Sequence, residues 1–120
     1  MALRCFIVDD SRPFLAAAQS LLESDGFSVV GVAASAEEAL GRVEDAAPDV
    51  VLVDVDLGGD SGFELVRRFQ RETSLDQSRV ILISTYAEED VAELVKTAPA
   101  AAFLSKSQLS AGAIRRILGS

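Results

Sequence analysis

The chain has 120 residues, 49% hydrophobic and 25% charged, with a formal net charge of −8 and no histidine. One globular domain is expected at this length, and the missing histidine excludes a Ser-His-Asp triad, a Cys-His pair and any zinc site with histidine ligands of its own. The acidic balance opposes binding to phosphate backbones, no apolar run approaches the roughly 18 residues of a membrane span, and the N-terminus lacks a signal-peptide layout. Cys5 is the single cysteine, so an internal disulfide is impossible. It lies in an apolar run with no activating neighbour and reads as a small core residue, and a reducing cytosol is the expected compartment.

The hydrophobic pattern alternates between short strand-like runs and helical periods. The first expected strand, residues 3–8, reads Leu-Arg-Cys-Phe-Ile-Val and stops at Asp9-Asp10. Ser11 is an N-cap with Pro13 in the first turn, and Phe14, Leu15, Ala18, Leu21 and Leu22 then recur at helical spacing until Gly26. A second strand is expected over 28–32, followed by Ser35 and Glu38 in a capping-box pattern and by Ala36, Ala39, Leu40 and Val43 on one helical face. Pro48 separates that helix from a third strand, 50–54, whose apolar run ends at Asp54 with Asp56 close behind. Gly58-Gly59 reads as a flexible turn. Helical periods at Leu65, Val66 and Phe69, at Val91, Leu94 and Val95, and at Ile114, Ile117 and Leu118 alternate with strands over 80–84 and 101–104. Five strands alternating with five helices predict an α/β fold with a parallel sheet covered on both faces.

Carboxylates just past buried strands are costly to desolvate unless a cation or hydrogen bond compensates them. In open α/β sheets ligands bind beyond the carboxyl ends of the strands, where strand order reverses. With order 2-1-3-4-5, the first and third strands are neighbours there, and Asp9, Asp10 and Asp54 would share one oxygen-rich edge suited to a hard divalent ion. The fourth strand ends at Ser84-Thr85, and the fifth leads through Phe103-Leu104-Ser105 to Lys106. Carboxylates, a hydroxyl and a lysine at one rim are what phosphoryl transfer to an aspartate needs.

On these residues the chain resembles the receiver domain of bacterial response regulators, over all of residues 1–120. The pattern is an acidic pair after the first strand, an acceptor aspartate after the third, Ser or Thr after the fourth and Lys after the fifth, in that order. The resemblance implies a flavodoxin-like doubly wound sheet and a phosphorylation-dependent signalling switch, not an enzyme. Asp54 corresponds to the phosphoryl acceptor, Asp9 and Asp10 to the Mg²⁺-binding acidic pair, and Asp56 to the position lending a backbone carbonyl to the metal. Ser84 corresponds to the switch hydroxyl, Phe103 to the aromatic switch residue, Lys106 to the family lysine and Gly62 to the glycine opening the third helix. A sensor histidine kinase would supply the phosphohistidine that this chain lacks. Residues 103–107 are similar to regulators of the NarL/FixJ type, whose receivers precede a DNA-binding helix-turn-helix, so an output domain or separate effector, control of transcription and a homodimer are further implications.

Three positions depart from the pattern: Gly58 where proline is common, Thr85 where a small residue follows the switch hydroxyl, and Ser107 where proline follows the lysine. The first implies a mobile loop, and the second implies narrower access to Asp54. They keep a non-phosphorylated, degenerate receiver in view. Asp54-Val55-Asp56 also matches the Asp-x-Asp of haloacid dehalogenase-type phosphohydrolases, but that motif follows a first strand in a larger domain with a cap. A flavin-binding flavodoxin-like protein would share the fold, yet Asp-Asp-Ser after the first strand repels an anion.

Overall fold

The computed structural model describes residues 2–119. The elements run β1 (Arg4–Val8), α1 (Arg12–Ser24), β2 (Ser28–Ala33), α2 (Ala36–Ala46), β3 (Val50–Asp54), β4 (Asp56–Leu57), β5 (Asp60–Ser61), α3 (Gly62–Glu72), β6 (Val80–Ser84), α4 (Ala92–Thr97), β7 (Ala102–Ser105) and α5 (Ala111–Gly119). Five strands form one parallel sheet in the order β2-β1-β3-β6-β7. Setting aside the short β4–β5 hairpin, this is the expected order 2-1-3-4-5.

The strands are buried on both faces, and their side chains divide with period two. Phe6 and Val8 of β1, Val51 and Val53 of β3, and Val80 and Leu82 of β6 join a core with α2 and α3. Cys5 and Ile7, Val50 and Leu52, and Ile81 and Ile83 point the other way and pack with α1 and α5. Burial pushes the Cys5 thiol up to about 12, so it stays a protonated core residue.

Capping fixes where the helices begin. The Ser11 hydroxyl accepts the Phe14 N–H, and the Ser35 hydroxyl accepts the Glu38 N–H. The expected capping box is shifted by one residue on its return side: Glu38 Oε1 accepts the Ala34 N–H at 3.0 Å, one residue ahead of the cap. Gly26 takes φ +91° just after α1 ends, the left-handed turn that glycine adopts at little cost.

One expectation gains detail and one changes. Gly58-Gly59 forms the expected turn as a two-residue hairpin loop, with Asp56 paired to Ser61 and Leu57 to Asp60. Gly58 holds φ +76°, a region glycine enters without the Cβ penalty. At α4 and its N-cap, Val95 and Val91 pack against the core while Leu94 is 49% exposed, so the middle member of that helical period faces outward. The helix is short because Glu88–Asp90 form a separate 3₁₀ turn ahead of it.

Phe69 lies on α3, fully buried in the core it shares with Val51, Val80 and Leu82. Phe69→Ala is expected to lower unfolding stability by about 3–5 kcal/mol through lost transfer energy and an unfilled cavity. Urea unfolding checks this, and a loss below about 1 kcal/mol would mean that the α3 side of the core repacks freely.

Candidate functional site

Strand register builds the site. Val8 pairs with Val53, Asp54 with Ile83 and Ser84 with Ser105, so the residues at the carboxyl ends of four adjacent strands converge on one rim. Asp9 follows β1 and is fully buried, and Asp54 at the end of β3 is only 7% exposed. Asp10 is exposed beside them. Carboxylate oxygens of Asp9, Asp10 and Asp54 lie within 4.8 Å of one another. This is the three-residue grouping expected from the sequence.

A lysine closes it. Lys106 begins the 3₁₀ turn after β7 and places Nζ 2.7 Å from Asp9 Oδ2 and 3.0 Å from Asp54 Oδ2. The Asp9 contact is a close ion pair whose angles are not those of an aligned hydrogen bond. The other Asp9 oxygen accepts the Ser11 N–H at 2.8 Å. Asp54 Oδ1 accepts the Asp56 N–H at 3.1 Å.

Burial raises the Asp54 pKa above its ordinary value; the Asp56 N–H and Lys106 pull against that, while the Asp9 charge adds to it. Burial also disfavours the Lys106 charge, but contact with Asp9 and Asp54 overrides it and holds the ammonium above the usual lysine value. The rim is therefore short of positive charge: one ammonium stands among three carboxylates.

That donor set fits Mg²⁺. The ligands are all oxygen, the carboxylates already converge, and one buried carboxylate oxygen lacks an aligned donor. The Asp56 side chain is exposed, and its Oδ1 accepts the Gly58 N–H at 3.1 Å. The carboxylate thus braces the hairpin and stands apart from the three-carboxylate cluster.

Ser84 is buried, with its hydroxyl accepting the Tyr86 N–H at 2.9 Å. Thr85, expected to narrow the approach to Asp54, is exposed at the surface. Phe103 is half-buried against the α2–α3 side of the core, neither free at the surface nor locked within it. Gly62 is fixed by close approach: a Cβ there would collide with the backbone carbonyl of Asp54. Gly58 likewise leaves room for Asp10, whose Oδ2 would lie 2.9 Å from any added Cβ. Sequence reasoning missed one member of the site, Phe14, whose ring centroid lies 4.1 Å from Lys106 Nζ. An aromatic four residues after the acidic pair was its only trace.

A doubly wound sheet with two acidic strand ends, a buried hydroxyl and a lysine on one rim defines a class of signalling domain. Residues 5–117 match the response regulator receiver domain family, and the chain belongs to that family. Among its relatives, it is 39% identical over 89 residues to the transcriptional activator protein ExaE of Pseudomonas putida, covering 72% of this chain and 41% of that protein. It is 32% identical over 105 residues to the response regulator UvrY of Escherichia coli K12, covering 87% of this chain and 47% of UvrY. A LuxR-family two-component response regulator from Aurantimonas sp. SI85-9A1 superimposes with TM-score 0.84 at 26% identity, over 99% of this chain and 86% of that one. The chain spans about half the length of the curated relatives it matches. No helix among the described residues is long and apolar enough to cross a membrane.

The raised Asp54 pKa has a consequence for stability. A carboxyl whose folded pKa lies above its unfolded value binds more protons in the native state, so stability falls as pH rises through that window. Asp54→Asn, measured by urea unfolding in Mg²⁺-free buffer, is therefore expected to gain on the wild type as pH rises from below the ordinary carboxylate value. The gap should then stay constant at higher pH. A gap that narrows over the same range would show that Lys106 outweighs burial at this carboxylate.

Proposed function

We propose that this domain is the phosphorylation switch of a two-component system, with Asp54 as phosphoryl acceptor. The observation that carries the reading is the buried Asp54 carboxylate held 3.0 Å from the Lys106 ammonium, with Asp9 and Asp10 beside it. The donor would be a phosphohistidine of a partner sensor kinase or a small acyl phosphate. An Asp54 oxygen attacks phosphorus and forms a P–O bond as the bond to the histidine nitrogen, or to the acyl oxygen, breaks. The electron pair leaves with that group: the histidine nitrogen takes up a proton from water, while the acyl group departs as its carboxylate.

Asp9, Asp10 and Asp54 are the residues that would hold Mg²⁺, with the Asp56 backbone carbonyl as a further ligand. When bound, Mg²⁺ neutralises phosphoryl oxygens and offsets the crowding of negative charge. Lys106 meets the charge that the new phosphoryl group introduces. Ser84 exchanges the Tyr86 N–H for that group, and Phe103 moves from its half-buried position further inward. The surface of α4, β7 and α5 then changes its preference among partners, a population shift between two packings of one fold.

The wider role is inferred from the relatives. A NarL/FixJ-type regulator of transcription, with a DNA-binding output domain or a separate effector, fits the LuxR-family likeness. The domain would work in the cytoplasm, as a monomer or homodimer, without binding nucleic acid itself.

Acetyl phosphate with Mg²⁺ is expected to add one alkali-labile phosphoryl group at Asp54, read by mass spectrometry, and Asp54→Asn should abolish it. Lys106→Ala should retain some label while losing the change in the Phe103 environment. Label that persists in Asp54→Asn and maps to Ser84 or Thr85 would overturn the acceptor assignment. A wild type unlabelled by acetyl phosphate and by its kinase would favour a degenerate receiver.

Mg²⁺ should raise the melting temperature of the wild type, because it binds only the folded form. Asp10→Ala is expected to weaken Mg²⁺ binding roughly tenfold or more, as measured by chemical-shift titration. Unchanged affinity in that variant would place the metal elsewhere.

A further inference from the structure

The Lys106 ammonium is seated on three sides. Two are the carboxylates of Asp9 and Asp54 at 2.7 and 3.0 Å, and the third is the face of Phe14, 4.1 Å from Nζ to ring centroid. Phe14 is half-buried at the edge of the α1–α5 core, so its ring is divided between apolar packing and the ammonium.

A closed circuit of contacts fixes that position. Asp9 Oδ1 accepts the Ser11 N–H at 2.8 Å, and Ser11 Oγ accepts the Phe14 N–H at 3.3 Å. The Phe14 ring covers Lys106 Nζ, and Nζ returns to Asp9 Oδ2 at 2.7 Å. The N-cap of α1 thus places the aromatic face and one of the lysine's carboxylates in fixed relation. Pro13, in the first turn beside it, restricts the same stretch of backbone.

The choice of side chain follows from charge. A third carboxylate over Nζ would add another negative charge to a rim that already holds three. An aliphatic side chain would exclude water but would not attract the ammonium. An aromatic face does both, because its quadrupole draws a cation without adding net charge.

We propose that Phe14 is a positioning residue for Lys106, keeping the ammonium on Asp9 and Asp54 where it meets the incoming phosphoryl group. The effect on phosphoryl transfer rests on the reading of Asp54 as acceptor; the seating of the ammonium does not. Phe14 touches no reacting atom and acts only through the lysine.

The test replaces Phe14 with mono-, di- and trifluorophenylalanine, which weaken the ring quadrupole stepwise at nearly constant shape. The primary readout is the ¹⁵Nζ ammonium signal of Lys106 in Mg²⁺-free protein, assigned by its loss in Lys106→Met. Exchange of its protons with water should quicken in step with fluorination, about two- to tenfold across the series. Phe14→Leu should lose the ring-current shift of the Lys106 ε-methylene and exchange as fast as the trifluoro form, while Phe14→Tyr should restore both. The initial rate of labelling by acetyl phosphate should fall in the same order.

A purely structural Phe14 would leave exchange constant through the fluorinated series, and that result overturns the proposal whether or not Phe14→Leu lowers the melting temperature. If exchange follows the series but the wild type takes no phosphoryl group, the seat stands and the acceptor reading of Asp54 falls. If the wild type is labelled and neither exchange nor rate follows the series, the acceptor reading stands and the role of Phe14 falls.

Discussion

Lys106 sits between two buried carboxylates, and the rest of the rim is arranged around that contact. A buried carboxylate without compensation is costly, and here two from adjacent strands are placed side by side with a third close by. One ammonium balances part of that charge. Burial, with the Asp9 charge adding to it, leaves Asp54 harder to ionise than an ordinary aspartate, and the uncompensated negative charge at the rim is of the kind a divalent cation offsets. The same imbalance that weakens the resting domain is what the proposed phosphoryl transfer would draw on.

Everything else in the fold serves to hold those groups in place. Parallel pairing of β1, β3, β6 and β7 aligns the four strand ends, and period-two packing on both faces fixes the register, since a slip by one residue would exchange the two cores. Gly62 lets α3 start directly against the Asp54 carbonyl, and the hairpin braced by Asp56 crosses beside Asp10 through Gly58. Asp60 extends that brace by accepting the Ala36 N–H at the start of α2. The loop after β3 is thus tied at both ends, despite Gly58 at the position where the family pattern has proline.

Much of this was legible in the sequence because the signals are local. Apolar runs that stop at Asp9-Asp10, Asp54, Ser84 and Lys106 mark strand ends, and a parallel sheet gathers strand ends on one edge. The three-carboxylate cluster and the lysine followed from that. What escaped depends on contacts between distant parts of the chain. The β4–β5 strands are two residues each, too short to show a period, so the pairing that flanks the Gly58-Gly59 turn went unread. Leu94 fits a helical period but faces outward because α4 is too short to bury a full stripe. Phe14 read as one more core position on α1, since nothing within its helix announces a lysine 92 positions further along the chain.

The central claim is that the Lys106 ammonium and the Asp54 carboxylate are energetically coupled in the resting domain. A double-mutant cycle measures this directly, with Asp54→Asn, Lys106→Met and the pair compared by urea unfolding in Mg²⁺-free buffer at neutral pH. The account predicts a favourable coupling of about 1 kcal/mol or more between the two sites, as expected for groups in contact. Additivity within about 0.3–0.5 kcal/mol would contradict it.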